Sequence, residues 1–232
     1  MNDMHKICFI TCVDDEIYYK ESLLYLQQLK LPSGMQTEFI AIRGAESMTS
    51  GYNKAMGQSN AKYKVYLHQD VFLINKNYVK FIEKLFQADK LIGLIGAAGC
   101  KKLPGSGVWW NASKKYGQIC HACEPESIRQ TNYGSASGPY CDVQAVDGLL
   151  MATQYDIPWR EDLFTGWHFY DISQSLEFQR QAYRVIVPQQ TTPWCVHAAG
   201  SKELGSTYQQ YRQVFLREYN KELLDKEEFD VK

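Results

Sequence analysis

Apolar runs of strand length alternate with helical patterns over the first hundred residues. Lys6–Cys12 (KICFITC) is short, apolar and partly β-branched, which predicts a strand. Asp14, Asp15 and Glu16 follow with oxygens suited to the first turn of a helix. That helix carries Tyr18, Tyr19, Leu23, Leu24, Leu26 and Leu29 and is stopped by Pro32-Ser33-Gly34. Thr37–Ile42 predicts a second strand, Ser47 to Gln58 a second helix capped by Ser47, Thr49 or Ser50, and Lys64–Leu67 a third strand. Asn77 to Ala88 places Tyr78, Phe81, Ile82, Leu85 and Phe86 on one helical face, and Leu91–Ala98 (LIGLIGAA) is wholly apolar. The order β-α-β-α-β-α-β predicts an α/β fold of Rossmann-like layout, a mostly parallel sheet flanked by helices.

The pattern changes after Gly99. Residues 100–140 are rich in Gly, Ser, Pro, Lys and aromatics, with short strand candidates only at Val108–Trp110 and Gly117–Cys120. They read as an irregular, aromatic-rich or β-hairpin insertion. Strand patterns return at Val143–Val146, Leu149–Thr153 and Tyr183–Pro188, with helices from about Tyr170 to Gln181 and Ser206 to Asp225. We expect one domain over residues 1–232 in three parts, 1–99, 100–140 and 141–232.

Composition narrows the function. With 232 residues, 45% hydrophobic and 22% charged, the chain can bury a full core without a disulfide or metal staple. A net charge of −1 with no basic stripe argues against a nucleic-acid partner. No run approaches the roughly 20 apolar residues of a membrane span. The first residues lack the layout of a secretory signal, so a cytoplasmic location is expected, with room for work at the inner face of a membrane. Seven cysteines then read as reduced thiols. Cys120 and Cys123 form one C-x-x-C flanked at a distance by Cys100 and Cys141; these four are either a zinc site or plain loop and core cysteines.

Candidate chemistry starts at His68-Gln69-Asp70, directly after the apolar Lys64–Leu67. Ligands of parallel sheets bind beyond the carboxyl ends of strands, and a carboxylate there can hold a hard divalent cation against diphosphate oxygens. The plain alternative is a turn or helix cap. Gly93-x-x-Gly96-x-x-Gly99 lacks the dinucleotide spacing, no P-loop motif is present, and Gly134-Ser135-Ala136-Ser137-Gly138 has Ala where a nucleophile elbow needs Ser.

Four blocks in order sharpen this. Ser50-Gly51-Tyr52-Asn53-Lys54-Ala55 with the Ala61–Val71 stretch, Val146-Asp147-Gly148-Leu149-Leu150, and Phe164-Thr165-Gly166-Trp167-His168-Phe169-Tyr170-Asp171 resemble the signature of family-2-type GT-A glycosyltransferases. The likeness is greatest to a bacterial branch with H-Q-D, D-G and H-F-Y-D blocks, enzymes of polysaccharide biosynthesis, and runs to about residue 200. The resemblance implies a GT-A-like fold with a nucleotide-binding half at 1–99 and an acceptor half at 141–232. It implies transfer from a nucleoside-diphosphate-sugar donor to a glycan or lipid-linked acceptor, with inversion, and peripheral membrane association where the acceptor is lipid-linked. It assigns Thr11, Val13, Asp15, Asn53, Asp70, Asp147 and Gly148 to the nucleotide-sugar, and Asp70 and His197 to a divalent metal, Mn or Mg. Asp171 becomes the general base, His168 a further catalytic or acceptor residue, and Trp167 an acceptor contact.

Each assignment has a structural competitor. Asp171 also suits an N-cap for a helix starting at Ile172, Asp147-Gly148 a turn, His197 a packed imidazole, and Trp109, Trp110 and Trp167 ordinary packing. His68 replaces the first acid of the D-x-D-like motif, and no second-strand acid follows Ile42. Those two departures favour the rival reading, a catalytically silent protein that binds nucleotide or a partner.

Overall fold

The computed structural model describes residues 2–124, 127–198 and 205–224. Its elements are β1 (Asp3–Val13), α1 (Glu16–Leu26), β2 (Gln36–Arg43), α2 (Met48–Gln58), β3 (Ala61–Leu67), β4 (Val71–Leu73), α3 (Tyr78–Ala88), β5 (Ile92–Gly96) and β6 (Ala98–Cys100). They continue with β7 (Lys115–Glu124), β8 (Ser127–Gly134), β9 (Tyr140–Asp142), β10 (Ala145–Val146), β11 (Leu150–Thr153), α4 (Tyr170–Arg180), β12 (Arg184–Pro188), β13 (Cys195–His197), α5 (Ser206–Glu218) and α6 (Asn220–Leu224).

The main sheet has seven strands in the order β2-β1-β3-β11-β5-β12-β9. Strands β2, β1, β3, β5 and β12 run one way; β11 and β9 run against them. Period-two alternation sends neighbouring residues of β1 to opposite layers: Ile7 and Phe9 join one apolar cluster, Cys8, Ile10 and Cys12 the other. Helices thus cover both faces, as the apolar runs require.

A second sheet, β10-β6-β7-β13-β4 with β8 on the outside of β7, packs beside the first. Here the structure decides between the irregular and the β-hairpin form expected for the insertion. Most of its second half is a β7–β8 hairpin whose outer strand is mainly exposed and therefore has no apolar alternation to betray it. The strand expected at Val108–Trp110 is a 3-10 turn at Trp109–Asn111. The single strand expected over Leu91–Ala98 breaks at Ala97, where the chain passes from one sheet to the other. The glycines of that run have a packing role: a Cβ on Gly96 would lie 2.4 Å from the Val146 Cβ, and one on Gly99 2.3 Å from the Ala145 carbonyl oxygen.

Position 64 in β3 holds a buried lysine. Its side chain is 1% exposed, and Nζ donates to both Asp156 oxygens at 2.7 and 3.0 Å and to the Ala61 carbonyl at 3.0 Å. Removing one partner of a buried pair strands the other charge. Asp156→Ala is expected to cost about 2–3 kcal/mol, at or below the low end for buried pairs because Asp156 still reaches water. Lys64→Met should cost far less, since it removes the buried charge itself. Urea unfolding of the two variants checks the order.

Candidate functional site

The site forms where the C-terminal end of β3 meets three other segments. After Leu67 the chain turns through His68-Gln69-Asp70 into β4, and β4 pairs antiparallel with β13 so that Val71 faces His197. The Ala198 N–H donates to the Asp70 carbonyl at 2.8 Å, fixing that junction. His68, Asp70 and His197 consequently bring one ligand atom each within 4.8 Å of one another. His197 Nε2 lies 3.5 Å from Asp70 Oδ1.

The protonation states follow from burial and partners. Burial, then the nearby His197, pushes the His68 imidazole down to about 4, so it is neutral with a lone pair to offer. Burial would raise Asp70, but the hydrogen bond and charge of His197 outweigh it and hold the carboxyl below its ordinary value. Burial opposes the charge on His197 too, yet Asp70 and then Asp147 raise it.

Gln69 ties this turn to the end of β1. Its Oε1 accepts from the Asp14 and Asp15 N–H groups at 2.8 and 2.9 Å, and its Nε2 donates to the Asp14 carboxylate. Asp15 meanwhile caps α1, accepting from Ile17 and Tyr18. Thr11 and Val13 are buried at the end of β1, so this edge is prebuilt from two strand ends. Asn53, which the resemblance assigns to the nucleotide-sugar, bonds the Trp159 backbone. Its amide donates to the Trp159 carbonyl at 3.0 Å and accepts from the Trp159 N–H at 2.8 Å, a clamp that occupies both ends of the side chain.

Asp147-Gly148-Leu149 is a turn entering β11, and the His68 N–H donates to the Leu149 carbonyl at 3.1 Å. Asp147 is tied by Leu149 N–H to its Oδ1 at 2.9 Å, and burial raises its pKa. The Gly148 N–H donates to Asp171 Oδ2 at 3.0 Å. A Cβ at 148 would lie 2.3 Å from the Tyr170 hydroxyl and 2.8 Å from the Asp171 Cβ, so only glycine admits both neighbours. Gly148→Ala is therefore expected to cost about 1–3 kcal/mol by overpacking and to displace Tyr170 and Asp171 together. A fall in activity larger than the fall in thermal stability would show that second effect.

Asp171 does not cap a helix at Ile172. The helix α4 begins at Tyr170, its N-cap is Phe169 in the left-handed region at φ 64, and no side chain caps it. Such a conformation is costly for a bulky residue and is held here by packing on Tyr208 and Phe215. It turns Asp171 toward the cleft. Burial first, then the Asp147 charge, lift the Asp171 carboxyl to about 7. The Tyr170 hydroxyl, on the same first turn, contacts His68 Nε2. That contact leaves the other ring nitrogen of His68 for a ligand, the usual outer-shell arrangement for a metal-binding histidine. Neither Gln69 nor Tyr170 carries a sequence signal for these roles.

A cleft of about 300 Å³ opens over this group. His68, Asp147, Asp171 and His197 form its polar side, while Trp167, His168, Trp109, Trp110 and Tyr208 face it from three other segments. Trp167 is 48% exposed and so is no core residue. His168 packs edge-on against Tyr208, with ring centroids 5.3 Å apart. Thr11, Val13, Asp15, Asn53 and Asp70 do not line this cleft; the first three lie at the neighbouring β1 edge. Cys100 is buried in the core, and the group able to hold a metal among the described residues is His68, Asp70 and His197, with no cysteine. The Cys123 side chain lies outside the described residues.

A family model described as "Glycosyltransferase like family" matches residues 8–219. Among solved structures, the mannosyltransferase PcManGT of Pyrobaculum calidifontis, in complex with GDP-Man and Mn2+, matches with TM-score 0.55 at 12% identity, over 93% of this chain and 64% of that one. S. aureus TarS residues 1–349 with UDP-GlcNAc match with TM-score 0.58 at 11% identity, over 96% and 67%. GalNAc-T7 with UDP, GalNAc and Mn2+ matches with TM-score 0.60 at 7% identity, over 92% and 48%. The chain thus spans about half to two thirds of the length of these structures. A sequence search of curated proteins returns no match. The fold is that of the GT-A glycosyltransferases, and the chain belongs to the glycosyltransferase-like family.

Proposed function

We propose that this protein transfers a sugar from a nucleoside-diphosphate-sugar donor to a hydroxyl of a glycan or lipid-linked acceptor, with inversion. The observation carrying this reading is the shared cleft: Asp171, with a carboxyl near 7, opens onto the same space as His68 and His197, and Asp147 is coupled to both sides. The first two relatives hold nucleotide sugars, and the third a nucleotide with free sugar, which supports a donor of that class. The arrangement speaks against the silent reading, because a binding protein has no need of a buried carboxylate tuned toward neutrality.

The donor set of His68, Asp70 and His197 fits a divalent cation. Two imidazoles beside one carboxylate suit Mn2+ better than Mg2+, which prefers oxygen ligands. When bound, such an ion supplies positive charge at the leaving diphosphate. The β1 edge at Thr11, Val13 and Asp15 lines the nucleotide, with Gln69 holding that edge against the Asp70 turn. Asp171 accepts the proton of the acceptor hydroxyl as the hydroxyl oxygen bonds the anomeric carbon from the face opposite the diphosphate. The diphosphate's own bond to that carbon breaks, with the electron pair leaving on the diphosphate. One carboxylate and one displacement give inversion. Among the described residues no helix is long and apolar enough to cross a membrane, so a lipid-linked acceptor would be met at the membrane surface.

Thermal shift across nucleoside diphosphates and their sugars, with and without Mn2+, tests the donor site. Ligand at 100 times its Kd should stabilise by about 2.7 kcal/mol. No shift with any donor would overturn the reading, and a product of retained configuration would remove Asp171 as the base of a single displacement.

A further inference from the structure

The cleft is built from unlike halves. Its polar side carries the carboxylates Asp147 and Asp171, and among the described residues lining it there is no Lys or Arg. Its other side is aromatic, and two indoles keep much of their surface in solvent, Trp110 at 39% and Trp167 at 48%. These rings come from separate parts of the chain. Trp110 stands on the 3-10 turn and packs on Tyr208 of α5, with ring centroids 5.9 Å apart. Trp167 precedes α4.

The aromatic side is held rigidly. Arg212 Nε of α5 donates to the Ser106 carbonyl at 2.6 Å, joining α5 to the loop that carries Trp110. Thr165 Oγ1 and the Tyr211 hydroxyl are 2.9 Å apart, joining α5 to the segment that carries Trp167. Arg160 and Arg180 bond Glu218 of α5 at 3.0 and 3.2 Å, and Arg180 bonds Glu222 of α6 at 2.6 Å. Exposed indoles fixed on a braced frame are not the loose ends of a core.

Resting on the proposed transfer, we infer that the acceptor subsite takes an uncharged pyranose ring, stacked on Trp110 or Trp167 with a hydroxyl directed to Asp171. Two features select that class. Indole faces attract the C–H face of a sugar ring, whose rim of hydroxyls meets the polar side. A second anion there would meet the Asp147 and Asp171 carboxyls and find no Lys or Arg among the described lining residues. His197 is already paired with Asp70 at 3.5 Å, so uronic acids and sugar phosphates are disfavoured. The volume of about 300 Å³, at the lower end for small-molecule sites, accommodates a terminal sugar.

The test is direct binding to the full chain, followed by tryptophan fluorescence and saturation-transfer NMR. The probes are methyl hexopyranosides, methyl glucuronide and methyl hexopyranoside 6-phosphate, with UDP and Mn2+ present and absent. Neutral glycosides should bind more tightly than both charged analogues. Of Trp110→Ala and Trp167→Ala, the one that removes the stacking ring should weaken them by roughly two- to tenfold, and Phe at that position should recover most of the loss. Tighter binding of the glucuronide or phosphate, or full binding in both alanine variants, would overturn the inference. Sugar binding that behaves as described in a protein that takes no nucleotide would leave the inference standing and overturn the transfer reading instead.

Discussion

Asp171→Asn is expected to abolish sugar transfer and at the same time raise the melting temperature near pH 8. The activity half follows from the role of a base: loss of proton abstraction is worth about 10²–10⁴-fold in rate. The stability half follows from the raised carboxyl. In the unfolded chain an aspartate ionises near 3.9, whereas burial and Asp147 hold Asp171 at about 7 in the folded protein. The folded state therefore binds more protons between those values. Its stability contribution is fully present below the unfolded value and is lost as pH rises through about 7. Substituting a neutral amide of the same shape removes that loss. The wild-type rate should rise with pH and level off above about 7, as the base becomes ionised. Rate profiles and melting curves taken on both sides of that value check both halves. A variant that loses activity and stability together would point to a structural role for Asp171. Opposed changes are the mark of a group held in a costly state for its chemistry.

The parts of this molecule that were legible in the sequence are those written in local patterns. Strands β1, β2, β3 and β5 are apolar runs bounded by turn residues, and Ser47 caps α2 as its position before an apolar pattern implies. Strand direction was not legible. Leu150–Thr153 is buried on both faces, so LMAT reads the same whether it runs with its neighbours or, as it does, against β3 and β5. Short pairings were missed for a related reason: β4 and β13 have three residues each and no room for a period, yet their pairing delivers His197 to Asp70. The helix α4 begins at Tyr170 as its pattern predicted, but the left-handed Phe169 that aims Asp171 is set by tertiary packing. In the site, residue types were more legible than partners. Asp70 and Asp147 stand out as acids at a strand end and a turn, whereas Asp171 and His197 take their expected roles from the family resemblance. Asn53 takes its expected role from the resemblance as well, and no local pattern announces its two bonds to the Trp159 backbone. His68 reads as a missing acid, although a neutral imidazole there is able to join Asp70 and His197 as a metal ligand.

Asp70→Asn is expected to remove the response to Mn2+ altogether. Changing an outer partner of a metal ligand costs about 10–100-fold in affinity, and loss of the ligand itself should cost at least the upper figure. Stabilisation by Mn2+ at 100 times the wild-type Kd, about 2.7 kcal/mol, would then shrink to well under 1 kcal/mol. Tyr170→Phe provides the calibrating case. It keeps the ring that packs on Tyr52 and Trp159 but deletes the hydroxyl that contacts His68, so a loss of about tenfold is expected with little change in folding. Proton competition gives an independent signature. His197 is held above its ordinary value by Asp70, and a protonated imidazole cannot ligate. Mn2+ affinity in the wild type should therefore strengthen as pH rises through the upper end of the histidine range, while His68, already neutral, adds nothing to that slope. In Asp70→Asn the acceptor that raises His197 is gone, and whatever weak binding remains should lose that rise at a lower pH. Titration of Mn2+ followed by electron paramagnetic resonance, at several pH values and without any donor, measures all three proteins. Unchanged affinity in Asp70→Asn would take Asp70 out of the metal site, and with it the proposal that the β3 end holds the diphosphate.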